Sequence, residues 1–367
     1  MASRPIVPKQ ARDIAMVGGG KQQKKNDATE ERNRKALGDI GNLVTLRGFE
    51  DKPNRPITRS FCAQLLAENN KAACGLTKKP KVEIVDIDAG DAGNELAAVE
   101  YVEDIYMFYK EVENESLTQD YMNTQHQPEI NKRMREILID WLMDVHSKFE
   151  LSLETLYLTI NIIDRFLSIK TVPRRELELV GVGAMLMASK YEEIWPPQVN
   201  DFVCLSDTAY THEQILGMEK IILGNLEWTL TVPTPFVFLV RFIKASVPDQ
   251  MLENMAHFLC ELGVMHYATL VKYCPSMVAA SAVFAARCTL DKSPVWNETL
   301  KLHTGYSDEQ LMECARLLVN FHSTVGNGKH MTVYRKYSHP LRGAVAGLPS
   351  AKNLLTEGST SICPEHS

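Results

Sequence analysis

The common strings that carry catalysis are missing from this 367-residue chain. It has no GxxxxGK[ST], no HExxH, no GxSxG, and no GxGxxG after a strand pattern, so the usual phosphate cradles, zinc hydrolase sites and serine nucleophiles have no foothold. Eight cysteines are present, Cys62, Cys74, Cys204, Cys260, Cys274, Cys288, Cys314 and Cys363. None forms a CxxC or CxH pair, which removes zinc ribbons and redox motifs and leaves reduced thiols packed in apolar helices. The ten histidines are scattered, and His257 and His266 sit within helical patterns as core or rim residues. Neither a catalytic residue, nor a metal, nor a cofactor is expected. The longest unbroken apolar run, residues 179–188, falls far short of the roughly 18 residues that suggest a membrane span. The first twenty residues lack the apolar core of a secretory signal, so an intracellular location is expected. A net charge of −6 gives no electrostatic case for nucleic acid or an anionic membrane as the main partner. Strand alternation of useful length is absent too, and the expected fold class is all-α.

What is present is ordinary for a globular protein, 45% hydrophobic and 23% charged. Residues 1–95 show no sustained period and are rich in Gly, Asn, Lys, Arg and Ala. They bury too little apolar surface to offset ordering entropy, and a disordered arm is expected there. Its basic runs, KQQKK at 21–25 and KKPK at 78–81, suit either nuclear import or solvated linker charge.

Helical texture begins near residue 95. Tyr101, Ile105, Phe108 and Tyr109 mark a first helix. In residues 134–150, Met134, Ile137, Leu138, Trp141, Leu142, Val145 and Phe149 form one helical stripe opposite Arg135, Glu136, Asp140, Asp144 and Lys148. SLET at 152–155 caps a third helix. Residues 176–194 are apolar nearly all round, with small residues that admit close neighbours, until Pro196 and Pro197 stop them. THEQ at 211–214 is a capping box opening a helix to Leu226.

The order then recurs. FVFLVRFIK follows Pro235, a long amphipathic stretch covers 251–270, residues 276–290 mix small and large apolar side chains, and SDEQ at 307–310 is again a capping box. Ala188 and Ala286 are 98 residues apart, and Thr211 and Ser307 are 96 apart. Two landmarks at nearly one offset indicate two five-helix copies. The expected domains are the arm at 1–95, a first repeat with its preceding helix at 96–232, a second repeat at 233–346 and a loose polar tail at 347–367.

MREILIDWL at 134–142, ETLYLTINIIDRFLS at 154–168, AMLMASKYEEIWPP at 184–197 and LVKYCPSMVAASAV at 270–283 together resemble the cyclin box of mitotic cyclins. HSKF at 146–149 and TRSFCAQLL at 58–66 resemble the B-type cyclins of plants, with A-type cyclins the nearest alternative. The resemblance runs from about Tyr101 to Ala346. It implies two tandem cyclin boxes, and a regulatory subunit without catalytic groups that activates a cyclin-dependent kinase at the G2/M transition. It places Lys190, Tyr191, Glu192, Glu193, Ile194, Glu219, Leu223, Trp228 and Leu230 at the kinase, together with Tyr101, Ile105 and Phe108 of the first helix. Met134, Ile137, Leu138 and Trp141, with Leu177, match a hydrophobic patch for RxL-containing substrates or inhibitors. Asp144 and Glu178 stand at its acidic rim, where the family more often has Glu and Gln. The alternative is that the whole stripe is core. Arg135, on the polar side by periodicity, matches a buried ion pair with Asp164.

RKALGDIGN at 34–42 resembles the destruction box RxxLxxxxN, through Arg34, Leu37 and Asn42, which implies the anaphase-promoting ubiquitin ligase as a partner. RxxL also occurs at Arg135, Arg174 and Arg287, but inside expected helices and without the Asn. A cell-cycle-dependent location in nucleus and cytoplasm is implied as well. Two rivals share part of the pattern. A transcription initiation factor with two cyclin-fold repeats should carry an N-terminal zinc ribbon and basic faces, and a helical-repeat adaptor should lack SKYEEI and the destruction box.

Overall fold

The computed structural model describes residues 84–355, apart from Gln125, Asp207 and 327–330. Arg34, Leu37 and Asn42, the rest of the arm up to residue 83, and residues 356–367 lie outside the described residues.

Among the described residues the regular structure is entirely helical. Helix α1 (Val102–Val112) precedes a first repeat of α2 (Lys132–Lys148), α3 (Leu153–Ile169), α4 (Leu177–Glu192), α5 (Val199–Leu205) and α6 (His212–Asn225). The second repeat is α7 (Pro235–Ala245), α8 (Gln250–Met265), the short α9 (Tyr267–Lys272), α10 (Pro275–Thr289), α11 (Glu298–Thr304) and α12 (Asp308–Val325). Helices α13 (Thr332–Ser338) and α14 (Lys352–Leu355) follow. The chain therefore holds two five-helix units, with α9 an addition to the second.

Local chemistry sets these boundaries. Asn131, Ser152, Asp249 and Asn297 each accept a hydrogen bond from the third backbone N–H that follows, capping α2, α3, α8 and α11. Thr211 with Gln214 and Ser307 with Gln310 form the expected capping boxes on α6 and α12. Two buried helices, α4 and α10, occupy the middles of their repeats. A Cβ on Gly181 would stand 2.8 Å from Leu138, and one on Gly183 would stand 3.2 Å from Met218. Glycines on two sides thus let α2 and α6 close on α4.

Three expectations need correction. The stretch at 251–270 is two helices, because His266 is extended between α8 and α9, stacked on Phe321 at 3.7 Å and 3.3 Å from Glu136. Residues 84–95, expected as disordered arm, contain a 3-10 turn at 89–91 and the start of another at 95–97, and the buried Ile87 and the Asp88 carboxylate are held by the second repeat. The tail after 347 is not loose as far as 355, because Ala351 and Leu354 are buried and α14 packs on α12.

Candidate partner-binding surfaces

Two ends of the first repeat carry the sequence-derived site residues. At the first, α4 ends with Lys190, whose Nζ donates to Glu219 Oε1 on α6 at 2.7 Å. The adjacent Tyr191 hydroxyl lies 2.5 Å from Thr231 Oγ1. These two contacts bring the C-terminus of α4, the middle of α6 and the segment after α6 together. Between them lies a turn in which Glu227 and Trp228 both take positive φ, 51° and 62°, a conformation that costs non-glycine residues energy. It is held by Trp228 N–H to Leu223 O at 3.0 Å and by Arg165 to Thr229 O at 2.9 Å. The effect is to turn Trp228 outward, 72% exposed.

Tyr191 and Ile194 are exposed beside it, while Leu223 and Leu230 are half-buried against the core. Trp195 (89% exposed) and Ile221 belong with this end and were absent from the sequence-derived set. A signal for Trp195 existed: directly before Pro196-Pro197 it cannot fold back along a continuing helix. Glu193 faces elsewhere. Its carboxylate accepts from Ser152 N–H at 2.7 Å, Ser152 Oγ at 2.9 Å and Thr155 Oγ1 at 2.5 Å. Burial raises its pKa, but these bonds outweigh that and hold it below the usual carboxylate value. A capping carboxylate at the N-terminus of α3 is a structural role. Glu192 remains exposed, with its pKa raised by desolvation and by Glu154 and Glu193.

Helix α1 presents a second part of this candidate surface. Its inner side is Tyr106 and Tyr109, which pack edge-on against Phe238 of α7. Tyr101 and Phe108, with the half-buried Ile105 between them, follow at i, i+7 and i+4 and face away, next to the exposed Met107. Periodicity alone would have assigned that stripe to the core.

The other end is α2, which crosses α4 at Gly181. Leu138 meets Gly181 there, and Leu177, one turn earlier on α4, lies on the same side. Both leucines are nearly buried, so Leu138 does not open onto a groove as expected. Ile137, 56% exposed, is the apolar residue that opens to solvent, flanked by the half-buried Met134 and Trp141. Glu178 is exposed, but Asp144 is already partnered by Lys148 Nζ at 2.9 Å and by Arg335 of α13 at 3.3 Å. The buried apolar residues of α2 are Leu138, Ile139, Leu142, Met143 and Val145, two of them, Ile139 and Met143, outside the sequence stripe, whereas Phe149 is half-buried.

Beneath this face Arg135 is fully buried and pairs with Asp164 through two bonds of 2.7 Å. Tyr121 donates its hydroxyl to the same carboxylate at 2.7 Å. Burial opposes the Arg135 charge, but the Asp164 carboxylate more than offsets it and raises the guanidinium's pKa. The Tyr121 phenol is pushed well up by burial and by Asp164. The pairing is the one the resemblance implied, not the solvated place that periodicity suggested.

No group of three or more His, Cys, Asp or Glu among the described residues could hold a metal ion. None of the described helices is long and apolar enough to cross a membrane. A cavity lined by Tyr157, Asn161, Thr269 and Tyr273 holds about 50 Å³, space for a few waters.

Comparison with known proteins agrees with this architecture. Residues 104–231 match the family described as the cyclin N-terminal domain, and residues 233–351 match the cyclin C-terminal domain. The chain is 60% identical to G2/mitotic-specific cyclin S13-6 of Glycine max, covering 98% of this chain and 99% of that protein. It is 51% identical to G2/mitotic-specific cyclin-1 of Antirrhinum majus, over 96% and 94%, and 49% identical to cyclin-B1-2 of Arabidopsis thaliana, over 97% and 98%. A viral cyclin from herpesvirus saimiri shares the fold at a TM-score of 0.50 and 21% identity, over 57% of this chain and 96% of that one. The chain belongs to the cyclin family, to its plant mitotic B-type members, with both cyclin boxes present.

Proposed function

We propose that this chain is the regulatory subunit of a cyclin-dependent kinase that drives the G2/M transition. The observation that carries the proposal is the exposed cluster of Tyr191, Ile194, Trp195 and Trp228 around the Lys190–Glu219 pair. Large apolar side chains gathered on one surface and fixed by a strained turn suit a stable protein interface with aromatic anchors. The designation of close relatives as G2/mitotic-specific supports the timing.

The mechanism is conformational. A protein kinase is active only when its β3 Lys pairs with the Glu of helix αC. A rigid surface that binds the inward αC position more tightly than the outward one shifts that equilibrium by its differential affinity. The buried helices α4 and α10 make such a surface stiff, and the chain supplies no catalytic group.

The test removes both members of the ion pair. Lys190→Ala with Glu219→Ala keeps net charge constant and strands neither partner, so the fold is expected to persist while kinase binding and histone phosphorylation fall. Activation equal to wild type would refute the assignment.

Three further parts of the reading extend it. The Ile137–Trp141 face with Leu177 and Glu178 docks RxL-containing substrates or inhibitors. Arg34, Leu37 and Asn42 form a destruction box read by the anaphase-promoting ubiquitin ligase. Replacing Arg34 and Leu37 by Ala is expected to lengthen the half-life after metaphase, and unchanged decay would count against it. The protein moves between cytoplasm and nucleus with the cell cycle, with the basic runs at 21–25 and 78–81 as its import signals.

A further inference from the structure

Arg241 joins two parts of the molecule that the sequence separates. It is nearly buried on α7, and its guanidinium grips both oxygens of Asp88, at 2.5 and 2.7 Å. One turn on, Lys244 bridges Asp88 at 2.7 Å and Asp91 at 2.5 Å. The same short segment buries Ile87, and its Val85 N–H donates to Thr299 Oγ1 of α11 at 3.1 Å. An apolar anchor, a backbone bond and a bidentate ion pair therefore fix residues 85–91 on the second box. A bidentate carboxylate holds a guanidinium in one orientation, and the Arg241 side chain lies 5.5 Å over the ring of Tyr106 on α1. That ring is the inner anchor of α1, its hydroxyl donating to Val237 O at 2.9 Å. Hydrogen bonds from the Arg241 guanidinium, joined by the Lys244 ammonium, hold the Asp88 carboxyl down to about 2, against the opposing effect of burial.

We propose that residues 85–91 are a clasp that seats α1 for its partner, with Asp88 a positioning residue that acts through Arg241 on Tyr106. With Tyr106 pinned, Tyr101 and Phe108 are presented on the opposite side of α1 before any partner arrives, and less ordering entropy is lost on binding. Without the clasp, α1 still has the ring contacts to Phe238, the Val237 bond, the Lys110–Tyr306 contact and, at its C-cap, the Glu113 carboxylate accepting from Ser276 N–H and Oγ at 2.8 Å, but the Arg241 guanidinium beside Tyr106 loses its bidentate partner. The proposal rests on reading the outer face of α1 as part of the kinase interface.

The test is a double-mutant cycle on the full-length chain. Asp88→Asn and Phe108→Ala are made singly and together, and affinity for the purified kinase is measured by calorimetry. Amide exchange is followed in α1, α3 and α10. Lys244→Gln serves as a second variant that loosens the clasp without exposing Arg241 to a neutral partner. Asp88→Asn is expected to speed exchange in α1 by about tenfold and to weaken kinase binding by about five- to tenfold, with α3 and α10 unchanged. Phe108→Ala is expected to cost less affinity in the Asp88→Asn background than in wild type, because an unseated α1 no longer presents Phe108. Additive losses, or unchanged exchange in α1 in both clasp variants, would overturn the proposal. A wild-type chain that fails to bind any cyclin-dependent kinase would overturn the kinase reading and the clasp's role in it. Exchange in α1 would still report whether Asp88 holds that helix.

Discussion

Asp164 and Glu261 are each the twelfth residue of the second helix in their cyclin box, and both are buried. They are closed differently. Asp164 is matched by Arg135 from the first helix of its own box and by Tyr121. The remaining Arg135 donors reach across to Val264 O at 3.0 Å and Met265 O at 2.7 Å in the second box. Glu261 has no such partner on α7. Lys336 Nζ at 2.7 Å and the Tyr337 hydroxyl at 2.6 Å reach it from α13, beyond the repeat. One position, equivalent in the two repeats, thus does two jobs. The first carboxylate orients a guanidinium that stitches the boxes together, and the second fastens the C-terminal extension that returns to α2, where Asp140 accepts Thr332 N–H at 2.6 Å.

The sharpest way to break the comparison is to remove one cation from each site. Arg135→Met would strand Asp164 in a dry site and leave two carbonyls unpaired, an expected loss of about 3–5 kcal/mol. Lys336→Met should cost less, about 1–2 kcal/mol, because Tyr337 stays on Glu261 and Lys336 is partly wet. Urea unfolding of both variants checks the order. Equal costs would mean that the cross-box bonds of Arg135 contribute nothing.

A smaller difference concerns protons. Burial lowers the pKa of His146 in the first box and of His257 and His322 in the second. Each stays neutral when folded but takes up a proton more readily once unfolded, where its value is 6.5. The stability from keeping them neutral is therefore present above pH 6.5 and lost as pH falls through that value toward the folded one. The pKa of His303 on α11 is lowered by burial as well, so with three such groups against one, amide exchange between pH 7 and pH 5.5 should accelerate more in α8, α11 and α12 than in α2. An equal response would show that the carboxylates, not the histidines, set the acid limit.

Sequence captured what is local. Ser152, Thr211 and Ser307 announce their helices because a cap acts within four residues, and the 177–192 stretch, apolar nearly all round, can only be a central helix. Family resemblance, not periodicity, supplied the burial of Arg135. What escaped depends on distance. Helices α5 and α11 have seven residues each, fewer than two turns lack a readable period. Residues 85–91 look like arm because their order comes from charges on Arg241 and Lys244, more than 150 positions away. A single periodic stripe implies one buried side on α2, but the helix has two. Contacts with α4 on one side and with α13 and the second box on the other also bury Ile139 and Met143, leaving Ile137 rather than Leu138 open.

That rotation bears on the smallest effect expected, at the docking patch. On the proposed docking reading, a peptide arginine approaching the rim would meet Asp144 with Lys148 and Arg335 already on it, so in the wild-type chain Glu178 would carry most of the attraction. Arg335→Ala leaves Asp144 with Lys148 alone and one carboxylate oxygen open, and is expected to raise preference for an RxL peptide over its AxL counterpart by about two- to threefold at low salt, fading at high salt because the rim is exposed. Trp141→Ala should abolish binding of both peptides with a modest loss of stability, since this Trp is only half-buried. Unchanged arginine preference in Arg335→Ala would show that Asp144 takes no part in docking. Unimpaired binding in Trp141→Ala would show that this face of α2 is not the docking patch.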